Sequence, residues 1–120
     1  MHNVPEATRK VRKWVKQQGW KIKPLDPREW PDETFTNGGI MYKRKTVYIK
    51  GGFDDLKHFY VLLHEAGHIL AMKAGLSNIP HTVAEKQAYF GGSMLAVTLG
   101  IKLNWHQWRM FNWEASFTHL

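Results

Sequence analysis

The chain has 120 residues, 43% of them hydrophobic and 13% aromatic with six tryptophans, enough to bury one core and too few for two, so a single domain over residues 1–120 is expected. It contains no cysteine, which excludes a disulfide framework, a thiolate metal site and a cysteine nucleophile together; any metal would be held by nitrogen and oxygen. Seventeen Lys and Arg against ten Asp and Glu give a net charge of +7, which favours acidic partners, nucleic acid among them.

No apolar run reaches the roughly 18 residues that span a bilayer. The opening "MHNVPEATRKVRKW" lacks the apolar core of a secretory signal, so a soluble, cytoplasmic protein with no membrane contact is expected. Asn3 as a cap, Pro5 in the first turn, Glu6 three places after Asn3 and Gly19 as a stop predict a first helix over residues 4–18. Its apolar stripe of Val11, Trp14 and Val15 is narrow, and Arg9, Lys10, Arg12, Lys13 and Lys16 surround it. That basic surface is either a solvated helix face or a contact for nucleic acid or another acidic partner. "WKIKPL" alternates apolar and polar residues as a short strand does, with Pro24 holding it near a sheet edge. "DPREWPDETFTNGG" shows no period and predicts irregular structure. In "GIMYKRKTVYIKGG", residues 40–42 and 46–50 are β-prone and Lys43, Arg44 and Lys45 form the turn of a hairpin.

Asp54 or Asp55 caps a helix that runs to about residue 74, with Gly75 ending it. Leu56, Phe59, Tyr60, Leu63, Gly67, Leu70, Ala71 and Ala74 recur near i, i+3, i+4 and i+7, the stripe of a largely buried helix. Thr82 is placed to cap a second long helix ending near residue 100, in which the pair Gly91-Gly92 predicts close packing against another helix. Asn104 and Gln107 predict a capping box for a terminal helix in "WHQWRMFNWEASF". Its Trp105, Trp108, Arg109, Phe111 and Trp113 either pack beneath the core or present a binding surface. The order of elements makes this an α+β chain.

Two histidines and a glutamate interrupt the most apolar helix as His64-Glu65-Ala66-Gly67-His68. Residues four apart share a helix face, so the two imidazoles can converge on a point about 2 Å from each nitrogen, a chelate that zinc accepts. Glu65, one residue round, would stand beside the ion and take a proton from a water whose pKa the metal lowers to about 7. The alternative is a pair of core histidines satisfied by hydrogen bonds. Against it, burying such polar groups without strong partners costs on the order of 1 to 3 kcal/mol each. Gly67 also weakens a buried helix unless a close backbone approach uses it. A catalytic zinc needs a third protein ligand and an open position. Two residues compete for that place: Glu85, 17 residues beyond His68 near the start of the next helix, and His81, 13 residues beyond it.

The stretch "GGIMYKRKTVYIKGGFDDLKHFYVLLHEAGHIL" resembles the strand, strand and HExxH-helix core of the ImmA/IrrE-type metallopeptidases, and "AEKQAYFGGSMLAV" is similar to the helix that carries the family's third ligand. The resemblance spans roughly residues 20–99 and departs from the family at Tyr89, Gly91 and Gly92. It implies a minimal zincin-like α+β fold, a small antiparallel or mixed sheet packed on the HExxH helix and a following ligand helix, with N-terminal and C-terminal helices outside the match. It also implies that Zn²⁺ is held by His64, His68 and Glu85, with Glu65 the general base. His81 and Tyr89 are the candidates for a donor to the transition state. The implied activity is hydrolysis of a specific intracellular protein, a regulatory and often DNA-binding one, as for relatives in bacteria and mobile elements. The SprT-like zincins, proteases that act near DNA, are a second resemblance and would make His81 the third ligand. A non-enzymatic reading keeps the zincin fold as a scaffold, in a phage or mobile-element protein that sequesters a host protein or nucleic acid.

Overall fold

The structure, a computed structural model, describes residues 3–25, 28, 37–75 and 81–115; the side chains of residues 25, 81, 82, 114 and 115 lie outside that set. Its described elements are α1 (Val4–Gln17), β1 (Lys21–Leu25), β2 (Gly38–Met41), β3 (Thr46–Lys50), α2 (Asp55–Lys73), α3 (His81–Thr98) and α4 (Trp105–Ala115), an α+β arrangement of four helices and one mixed sheet. None of these helices is long and apolar enough to cross a membrane.

α1 starts where its capping residues predict. The Asn3 side-chain oxygen accepts the Glu6 backbone N–H at 2.9 Å, satisfying one of the donors that a helix N-terminus leaves over, and Gly19 in the left-handed region (φ +86°) turns the chain out. Ala7, Val11 and Val15 are its buried face, one turn longer than the stripe expected from the sequence, with Trp14 at the margin. In the sheet, β3 is central: β1 pairs with it in parallel, Ile22 opposite Val47, and β2 antiparallel, Ile40 opposite Val47. Pro24, which cannot donate to a ladder, therefore sits on an edge strand as expected. Alternation along β3 sends Val47 and Ile49 into the main core and Tyr48 to the opposite face against Met41.

α2 is the axis of the molecule. Asp54 caps it by accepting the Lys57 N–H at 2.8 Å, and every residue from 59 to 69 is buried. The sequence pattern marked one stripe of this helix; the structure buries Val61, Leu62 and Ile69 as well, because α1, α3, α4, β2 and β3 all pack around it. α3 begins at His81, so Thr82 lies in its first turn instead of capping it. α4 is closed by the expected reciprocal box, the Gln107 N–H donating to Asn104 Oδ1 at 2.8 Å and the Asn104 N–H to Gln107 Oε1 at 2.9 Å.

The glycines explain how α2 and α3 meet. A Cβ built on Gly67 would lie 1.9 Å from the Ala88 carbonyl oxygen and 2.7 Å from the Gly92 nitrogen. One on Gly91 would lie 2.7 Å from the Gly67 carbonyl oxygen, and one on Gly92 2.9 Å from the Leu63 carbonyl oxygen. All four obstacles are backbone, which no rotamer change relieves. Gly67→Ala should therefore lower the stability to urea by about 3 kcal/mol or more. Gly51→Ala, where the added carbon meets nothing within 4 Å, should stay within about 0.5 kcal/mol of the parent.

Candidate metal centre

Residues 64 to 68 lie in the middle of α2, where His64 and Glu65 are fully buried and His68 nearly so. One turn apart on one face, the two imidazoles stand edge to face with ring centroids 4.8 Å apart. Glu85 comes to them from the neighbouring helix. Its Oε2 lies 2.9 Å from His64 Nε2 and its Oε1 3.1 Å from His68 Nε2. Donors about 2.1 Å from a tetrahedral zinc ion lie about 3.4 Å from one another, so two nitrogens and a carboxylate at these separations fit such an ion after moving apart by a few tenths of an ångström. Donor atoms of His64, Glu65 and His68 also lie within 4.8 Å of one another. Of the two carboxylates, Glu85 is the better ligand on geometry, because it approaches both Nε2 atoms at once, while Glu65 stands beside them.

Charge in the site follows from burial. Desolvation lowers the pKa of His64 from the ordinary 6.5, against the opposing pull of its hydrogen bond to Glu85 and of the Glu65 charge. The imidazole is thus neutral at pH 7, the form in which it ligates a metal. Tyr42, the first residue after β2, has its phenol pushed up to about 12, first by burial and then by the charges of Glu65 and Glu85. Its ring stands edge-on to Trp20 with centroids 5.9 Å apart. The residue is 40% exposed, and its phenol, protonated through the neutral range, remains a hydrogen-bond donor. Nothing in the sequence marks it beyond its place in a β-prone run, because the hairpin's position over α2 is a tertiary fact.

The other residues singled out in the sequence fall elsewhere. The His81 side chain lies outside the described residues. Tyr89 packs among the aromatics of α3 and α4, its ring centroid 5.3 Å from that of Phe111 and 5.7 Å from that of Phe90. Phe111 is fully buried and Trp108 partly so, whereas Trp105 and Trp113 are exposed, and the Arg109 guanidinium lies 4.8 Å from the Trp105 ring centroid. The terminal aromatics therefore divide between the two readings of the sequence. Arg9, Arg12, Lys13 and Lys16 line one groove beside α1, while Lys10 turns toward the α3–α4 junction, its Nζ 3.4 Å from the Leu99 carbonyl oxygen.

Comparison with protein-family models, with curated proteins and with solved structures returns no significant match. What can be said of the centre rests on its own geometry. Protein purified without chelator should carry one zinc per chain by elemental analysis; His64→Ala and Glu85→Gln should each lose it, and His81→Ala should keep it. The metal-free protein should show the burial of His64 in its pH dependence. Its folded pKa lies below the ordinary 6.5, so the stability tied to the neutral ring is complete above pH 6.5 and lost as the pH falls through the lower folded value. The urea midpoint of metal-free His64→Gln should accordingly fall less steeply below pH 6.5 than that of the parent.

Proposed function

We propose that the chain is a zinc-dependent protein hydrolase in which His64, His68 and Glu85 hold the ion and Glu65 is the general base. The observation that carries this reading is the approach of one carboxylate, from a separate helix, to the Nε2 atoms of both histidines. A bound zinc ion would supply Lewis-acid chemistry, lowering the pKa of water and polarising the scissile carbonyl. The remaining work belongs to the chain. Glu65, fully buried one residue along from the first histidine, is the carboxylate that would accept the proton of the attacking water and hand it on to the leaving amine. Tyr42, protonated throughout the neutral range, donates a hydrogen bond to the carbonyl oxygen as negative charge develops on it. His64, kept neutral by burial, leaves its charge balance unchanged through the cycle.

The substrate class comes from the resemblance noted in the sequence: a specific intracellular protein, of the regulatory or DNA-binding kind, cleaved in the cytoplasm. A second reading, a binding protein that retains the centre without turnover, is favoured by one observation. Phe90, Met94 and Val97 are 58%, 65% and 71% exposed at i, i+4 and i+7 of α3, an apolar stripe suited to protein contact. A hydrogen-bonded His–Glu–His cluster without metal is separated from both readings by zinc content.

Glu65→Gln should retain zinc and lower peptide-bond cleavage by at least about 100-fold, the usual worth of a general base; cleavage at the parental rate would remove the assignment. If the biological effect survives that substitution in full, the binding reading holds. Tyr42→Phe should lower kcat by about 100-fold with KM little changed, as expected for a donor used in the transition state.

A further inference from the structure

The five cations expected to surround the first helix do not form one belt. Arg9, Arg12, Lys13 and Lys16 stand at i, i+3, i+4 and i+7, the spacing that brings side chains to a single helix face. They form one wall of a trough of about 870 Å³, whose other wall is built by Phe53, Asp55 and His58 at the start of α2. Lys10 lies on another side of the helix, at the Leu99 carbonyl. The trough thus has a cationic wall and a wall with two rings in it, one of which, Phe53, carries the Lys57 ammonium over one face, 4.7 Å from its centroid.

We propose that this trough binds single-stranded nucleic acid, its phosphates meeting Arg9, Arg12, Lys13 and Lys16 and its bases stacking on Phe53 and His58. Charge complementarity is the first argument. The four cations span about 10.5 Å along α1 at 1.5 Å per residue, a continuous cationic track for the backbone of a single strand in which each side chain can meet one phosphate. Asp55 is the one carboxylate among the lining residues, against four cations. The second argument is the chemistry of the opposite wall. His58 has its pKa lowered by burial first and by Arg12 next, so at neutral pH it offers a flat uncharged ring instead of another cation. Flat rings beside a cationic track are what single strands use, because every base has a face to stack.

Other occupants fit less well. An anionic membrane surface takes an amphipathic helix by its apolar face, but the apolar face of α1, Ala7, Val11 and Val15, is buried in the core. An acidic peptide would satisfy the cations and leave the rings without use. A duplex reads a projecting helix, whereas here the cations border a concavity.

The test is fluorescence anisotropy of a labelled oligothymidylate of about 12 nucleotides, titrated from roughly 50 to 200 mM salt. For about three to four neutralised phosphates, the logarithm of affinity should fall against the logarithm of salt with a slope of about −2 to −3. Lys13→Ala with Lys16→Ala should weaken binding at least about tenfold at low salt and make the slope shallower by about 1.4. Phe53→Leu should weaken binding without changing the slope, and Lys10→Ala should change neither. Zinc content and the urea midpoint of each variant establish that fold and metal centre are intact, so this result stands apart from the fate of the proposed hydrolase. No salt-dependent binding, a loss on Lys10→Ala equal to that of the double variant, or equally tight binding of the matching duplex or of polyglutamate would overturn the proposal.

Discussion

The backbone of α2 touches the backbone of α3 at Gly67, Gly91 and Gly92, and the candidate centre depends on that contact. Ligand geometry tolerates errors of only a few tenths of an ångström, and Glu85 reaches both imidazoles because the two helices approach without intervening side chains. Each glycine weakens its helix by about 1 kcal/mol relative to alanine. Placing three of them at one crossing is costly for local helix stability, and the packed core around α2 offsets it. The same closeness explains why glycines stand at 91 and 92: a side chain at either would meet the backbone of α2 and push the Glu85 helix away.

A second constraint is the burial of ionisable groups in the most apolar element. His64 and Glu65 are as inaccessible as the leucines beside them. A buried charge survives only with compensation, and here one carboxylate faces both imidazoles, that of His64 kept neutral by burial. A divalent cation added to this group would be attracted by the charges of Glu65 and Glu85.

α2 also organises the rest of the surface. Its first turn supplies Asp55 and His58 to the trough beside α1, its middle carries the candidate centre, and its packing against α4 buries Phe111 while leaving Trp105 and Trp113 outside. One apolar helix thus sets the spacing between a cationic trough, a His–Glu cluster and an exposed aromatic edge.

Local chemistry was legible in the sequence. Asn3, Asp54 and the Asn104–Gln107 pair marked helix starts because a side-chain cap acts within three residues of its own position. The HExxH spacing placed His64 and His68 on one face because helix geometry repeats locally. The β-prone runs gave the hairpin, but the parallel pairing of β1 with β3 joins residues far apart in sequence and leaves no local trace. Tyr42 went unmarked for the same reason, since its proximity to Glu65 and Glu85 is a product of how the hairpin lies on α2. The basic residues of α1 were visible as a group, yet their division into four trough residues and Lys10 needed the positions of α2 and α3. The sequence by itself determined the elements and the chelate pair, which short-range hydrogen bonds and periodicity specify. Only the tertiary structure brought Glu85, which the sequence had singled out, to both imidazoles and decided which cations share a groove, because both depend on where packing brings separate helices together.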